Sequence, residues 1–137
     1  MLSVEMHVQI HAQPVAGDDR RPALFARTFE EVSARLAALP RMFVEPDGAF
    51  VWVAADGPTW QLDGVLYDGA GRLWYVELKG RSPQKEFEEF LSALGWPQTP
   101  VVFQLVREAL LLDEPEFRRH AGWAESSIVE EPRRDRN

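Results

Sequence analysis

The stretch WQLDGVLYDGAGRLWYVELKG, Trp60 to Gly80, decides the fold, because it reads as two strands joined by a turn. On the outgoing arm Trp60, Leu62, Gly64 and Leu66 fall on one side, and Gln61, Asp63, Val65 and Tyr67 on the other. Aromatic and β-branched residues in period-two alternation favour a strand. On the return arm Trp74, Val76 and Leu78 make an apolar face, which leaves Leu73, Tyr75, Glu77 and Lys79 opposite. Glu77 and Lys79 are thus same-side neighbours. Between the arms, Asp68-Gly69-Ala70-Gly71 predicts a three-residue loop, Gly69 to Gly71, with Gly71 left-handed and closing a type I turn with a bulge. An odd loop centred on Ala70 sets Asp63 directly opposite Glu77. An even loop sets it opposite Val76 or Leu78 and sends the two acids to opposite faces.

Around this hairpin, a chain of 137 residues with 45% hydrophobic content predicts a single domain with a core that needs no staples. We expect that domain to span residues 1–128 and a charged tail, EEPRRDRN, to occupy 129–137 or so. The absence of cysteine excludes disulfides and thiolate metal sites and suits a reducing, cytoplasmic setting. The N-terminal run MLSVEMHVQIHAQ has no basic flank or unbroken apolar core, so neither a signal peptide nor an anchor is predicted, and no stretch approaches a membrane span. A net charge of −7 argues against a protein that coats nucleic acid through a broad basic surface, though not against a local basic cleft. Only two lysines occur, Lys79 and Lys85, which draws attention to the one in the hairpin.

Val4 to Ile10 alternates strictly and reads as a half-buried strand. Its polar-face histidines, His7 and His11, stand about 13 Å apart at the strand rise, too far to share one ion, and read as solvated. QPVAGDDRRP, Gln13 to Pro22, is a polar loop. Thr28 and Glu31 form a capping box ahead of a helix with Phe29, Val32, Leu36 and Leu39 on one stripe, ended by Pro40. Met42–Val44 and Ala49–Val53 are two short extended runs around the turn Glu45-Pro46-Asp47-Gly48. After Gly80, Ser82 as N-cap and Pro83 at the first helical position open a helix carrying Phe87, Phe90, Leu91 and Leu94, with Glu86, Glu88 and Glu89 outward. Val101 to Val106 reads as a strand buried on both faces, Ala109 to Leu112 as a further short strand, and Asp113 with Glu116 caps a helix from Pro115 to His120. No internal repeat is present.

The resulting order, helix, strands, Asp strand, Glu-x-Lys strand, helix, apolar strand, together with LDGVLYD followed by YVELKG, resembles the core of the PD-(D/E)XK nuclease superfamily, which includes restriction endonucleases and Holliday junction resolvases. The resemblance covers about Thr28 to Val106. It implies a mixed α+β class, with a central mixed β-sheet flanked by helices in the order αβββαβ and an extra N-terminal strand. It also implies a metal-dependent nuclease acting on DNA. Asp63 and Glu77 would then ligate Mg²⁺ (or Mn²⁺) together with the Leu78 carbonyl, and Lys79 would activate water or stabilise charge. Carboxylate oxygens suit a hard cation, which polarises a phosphodiester and lowers the pKa of bound water. The residue before Asp63 is Leu62, where the family pattern has Pro. Glu30 or Glu31 is the candidate for the acid many members add from the first helix, although capping and a pairing with Arg35 already explain Glu31. Arg72, Arg81, Lys85 and Arg107 are candidates for a phosphate track.

A plain amphipathic hairpin also carries Glu and Lys two apart as a surface pair. The competing expectation is therefore a catalytically inactive domain on the same scaffold that works through protein–protein contacts or as a homodimer. On that reading Trp52, Trp60, Trp96 and Trp123, at element ends, are the candidate anchors. No phosphate-binding Gly loop, nucleophile elbow or His/Cys cluster points to a small-molecule enzyme.

Overall fold

The computed structural model describes residues 5–13, 23–56 and 59–123. Its elements are β1 (Met6–Ala12), α1 (Phe29–Ala37), β2 (Met42–Val44), β3 (Ala49–Val53), β4 (Gln61–Gly69), β5 (Arg72–Arg81), α2 (Gln84–Leu94), β6 (Val101–Leu105), β7 (Leu110–Asp113) and α3 (Glu114–Ala121). The polar loop expected over Gln13 to Pro22 and the charged tail lie almost wholly outside the described residues. The capping boxes of α1 (Thr28 with Glu31) and α3 (Asp113 with Glu116) form as their sequences require.

All seven strands join one sheet in the order β2-β3-β4-β5-β1-β6-β7, and every neighbouring pair is antiparallel. The class is therefore mixed α+β as expected, but the sheet is not mixed. The reason is β1, which inserts between β5 and β6 and pairs with both. β5 and β6, joined through α2, run parallel to one another without touching edges.

The helices pack on one face of this sheet instead of flanking it. That face is built from residues such as Val8, Ile10, Leu62, Leu66, Val76, Leu78 and Phe103, all fully or almost fully buried. Phe90 of α2 meets Phe50 of β3 at 5.6 Å between ring centroids, and Phe117 of α3 stacks on Phe103 of β6 at 4.2 Å. α1 packs against α2 and β2. The helix expected to start at Pro83 begins one residue later, with Pro83 as N-cap and Ser82 buried beneath the chain. Glu88, expected outward, is buried, because α3 brings Arg118 to it at 2.7 Å. Arg118 also bonds Glu114 and lies 5.9 Å from the Trp96 ring, so its guanidinium leaves water with partners on every side.

The hairpin turn differs from expectation in two compensating ways. Its loop is two residues, Ala70 and Gly71, both left-handed (φ 54° and 77°), with Gly69 paired to Arg72. That is the primed turn whose twist matches the strands, and Ala at its first position is tolerated in place of the usual Asn or Gly. An even loop alone would send Glu77 into the core. A bulge in β5 then shifts the register between Tyr67 and Asp68, so Tyr67 pairs with Tyr75 while Asp68 pairs with Leu73. Trp74 is the additional residue. It is 47% exposed, whereas Leu73 is fully buried, which reverses the faces expected for these two. From Tyr75 onward the expected faces hold, with Val76 and Leu78 inside and Glu77 and Lys79 outside.

Two further expectations are corrected by burial. β6 is buried on one face only, with Gln104 exposed, because no described element covers the other. Trp52, Trp60 and Trp96 are buried in the core, and Trp123 packs against Phe87 and Phe117, so none of the four is a free anchor. Trp74 is the exposed tryptophan of the hairpin.

Gly64 marks where β3 and β4 close on each other. A methyl group there would lie 2.3 Å from the Phe50 ring, which fills the space over the glycine while packing on α2. Gly64→Ala is expected to lower stability by about 1–3 kcal/mol, since a fully packed ring has nowhere to move. Chemical denaturation checks this.

Candidate functional site

The face turned away from the helices meets no other described element. Because directly paired residues share a face, the register aligns its side chains in rows across the strands. One row runs Phe43, Val51, Asp63, Lys79, His7. It continues to Val106, just past β6, whose amide donates to the His7 carbonyl at 2.9 Å. The next row holds Val65, Glu77, Gln9, Gln104 and Leu111. Beyond it Tyr67, Tyr75 and His11 stand side by side on β4, β5 and β1.

Asp63 therefore lies directly across from Lys79, and Glu77 faces Val65. The expected Asp63–Glu77 opposition is replaced by a diagonal relation, one pair apart on the same face. The three motif residues do share a surface, but the ladder pairs Lys79, not Glu77, with Asp63. Asp63 Oδ1 also accepts from Gln61 Nε2 at 2.8 Å.

Glu77 is the best-connected group on this face. His7 Nε2 donates to its Oε2 at 2.6 Å, and the Tyr67 hydroxyl donates to its Oε1 at 3.2 Å. His7 is thus bonded, not merely solvated. These donors hold the Glu77 carboxyl below the ordinary glutamate range, the His7 bond contributing most, Tyr67 and the positive charges of His7 and Lys79 less, while partial burial opposes them. Tyr67 is pushed the other way by burial and by the carboxylate it serves, so it remains a protonated donor. Its ring stacks on Tyr75 at 4.6 Å, and Tyr75 stacks on His11 at 5.1 Å. Burial lowers the His11 pKa.

A hard divalent cation requires oxygens from several groups turned toward one point. Both Glu77 oxygens already receive a donor, and Lys79 occupies the position facing Asp63. Leu78 lies in the middle of an interior strand, paired with Gly64 on one side and Val8 on the other, so its backbone serves the sheet. Glu31 is spent in the α1 capping box, and α1 packs on the far side of the sheet from Asp63, which separates Glu30 and Glu31 from the motif. Among the described residues no group of three or more His, Asp or Glu side chains converges on a metal position. Asp63 and Glu77 are offset by one pair along the strands and not set across from each other.

The basic residues do not form a track. Arg72 bonds the Phe25 carbonyl at the turn end of the hairpin, and Arg107 bonds the Glu5 carbonyl beyond β6. Arg81 lines an open cleft of about 300 Å³ with Glu5, Thr59, Gln61 and Asp63. No described helix is long and apolar enough to cross a membrane. No protein-family model, curated protein or solved structure matches the chain.

Sequence reasoning missed His7, Tyr67, Tyr75 and His11 as one connected group. The period-two pattern put each on a polar face, but the pairing of β1 with β5 links residues 70 apart in the chain. A glutamate with a depressed native pKa stabilises the fold above the ordinary value of about 4.3, and that contribution disappears as pH falls through the native value. Carboxyl-carbon NMR titration should place Glu77 below the chain's exposed glutamates, and His7→Phe should raise it. An unchanged Glu77 titration in the variant would show that the bond carries no weight.

Proposed function

We propose that this chain is a non-catalytic interaction module that binds a protein surface with the open face of its sheet. One observation carries the reading. Of the seven large apolar residues that are well exposed among the described residues, six lie on that single face: Phe43, Val51, Tyr67, Trp74, Val106 and Leu111. Scattered exposed apolar residues need no explanation, but their concentration on one face of an otherwise well-sorted domain marks a contact surface. The polar groups between them are suited to burial, because Glu77 has its donors inside the sheet and Asp63 has Lys79 opposite. The face is a poor platform for stacked bases, since the Tyr67, Tyr75 and His11 rings already turn their faces to each other. Cross-linking in extract, with adduct sites mapped by mass spectrometry, tests the reading. Adducts should concentrate on this face and disappear in a Val51→Glu/Trp74→Glu variant that melts like the parent; adducts elsewhere only, or none, remove it.

A second reading, the Mg²⁺-dependent nuclease implied by the family resemblance, is favoured by the bulge that returns Asp63, Glu77 and Lys79 to one face. It requires the carboxylates of Asp63 and Glu77, one pair apart on that face, to turn toward one ion. Plasmid nicking with Mg²⁺ or Mn²⁺ that is abolished in Glu77→Ala supports it, and equal or absent nicking in the two proteins rejects it.

A further inference from the structure

We propose that the partner on the open face is a second copy of this chain, packed sheet to sheet about a two-fold axis that runs parallel to the strands between β4 and β5. The inference rests on the binding role argued above and adds the occupant. Its basis is a symmetry in the register. Counting outward from the β4–β5 boundary, the row that crosses the sheet reads Asp63, Val51, Phe43 in one direction and Lys79, His7, Val106 in the other.

A two-fold axis along that boundary lays each half of the row over the other half of a partner. Asp63 then faces the partner copy's lysine at the same level, and the lysine faces its aspartate, so each sheet supplies the counter-charge the other presents. At the rim the phenyl ring of Phe43 meets the valine at position 106, two exposed apolar groups of opposite halves. One level away Tyr67 overlies the position of Tyr75, which extends the aromatic stack across the interface. Glu77 comes beneath Val65, an apolar cover that is tolerable because both carboxylate oxygens are already bonded within their own sheet.

The same operation is physically natural for this architecture. A rotation parallel to the strands keeps strand directions aligned, and two sheets of the same twist stack face to face within about 30° and about 10 Å apart. An isologous interface of this sort closes on itself, with Leu111 on the outermost strand β7 lying beyond the partner's three-strand half. Displacing the axis by one strand to lie between β5 and β1 sets Lys79 over the imidazole of His7 and leaves Asp63 facing Val106, which loses both charge pairings. The register thus selects one axis.

Charge reversal gives a test specific to that axis, and Asp63 and Lys79 are both exposed, so the fold should tolerate it. Sedimentation equilibrium of the full chain should show a dimer. Asp63→Lys alone juxtaposes lysines twice, Lys79→Asp alone juxtaposes aspartates twice, and each should weaken self-association by about 100-fold. Mixing the two variants should restore a dimer containing one of each, and the double variant should dimerise with itself. Phe43→Arg and Val106→Glu form a second such pair at the rim. A monomeric parent, or single variants that dimerise as the parent does, overturns the proposal. Where the parent is monomeric yet its open face still cross-links to a different protein, the second copy is excluded and the binding role stands; where no adduct maps to the face, both fall.

Discussion

One additional residue in β5 decides which side of the sheet its functional half occupies. With a two-residue turn and no bulge, Tyr75, Glu77 and Lys79 would point into the helices and Val76 and Leu78 into water. Trp74 takes up the odd residue, and its own ring lies against Gly69 on the outer surface, within 3 Å of where a Cβ there would sit. Burial of Val76 and Leu78, both at zero exposure, supplies the driving force for that register, and the bulge is the means by which a tight primed turn is reconciled with it.

Everything on the outer face follows from this choice. Once Glu77 is outside, β1 can bring His7 to it and β4 can bring the Tyr67 hydroxyl, so that both oxygens of a carboxylate on a central strand are hydrogen-bonded within the sheet. The same register sets Asp63 against Lys79 and builds the row whose two halves are complementary. The inner face is controlled by different means: Gly64 yields its side-chain volume to Phe50, and Arg118 carries its charge inward only with Glu88 and Glu114 to meet it.

The family resemblance and the geometry part at a definite place. The resemblance rests on element order and on the Asp and Glu-x-Lys pattern over about Thr28 to Val106. The insertion of β1 between β5 and β6 makes the sheet wholly antiparallel, and the ladder interposes Lys79 where the second carboxylate was expected. The acids keep a common face without being paired across the strands, and exposed apolar residues surround them there.

Local physics made much of this legible from the residues alone. Period-two and helical patterning located nearly every strand and helix, and the Thr28 and Asp113 capping boxes appear because their donors and acceptors are three residues apart. What sequence could not settle were relations between distant segments. A bulge leaves no mark in a repeating pattern when both residues beside it are apolar, as Leu73 and Trp74 are, and only the packing of Leu73 beneath the helices separates them. Glu88 looks like one more outward acid until α3 supplies Arg118, and four tryptophans at element ends look available until the helices close over the sheet. The sequence by itself determined the strands, the helices and a polar stripe bearing Asp63, Glu77 and Lys79. The tertiary structure decided register, burial and partners, because each depends on which segments meet across the fold, and local periodicity carries no record of that.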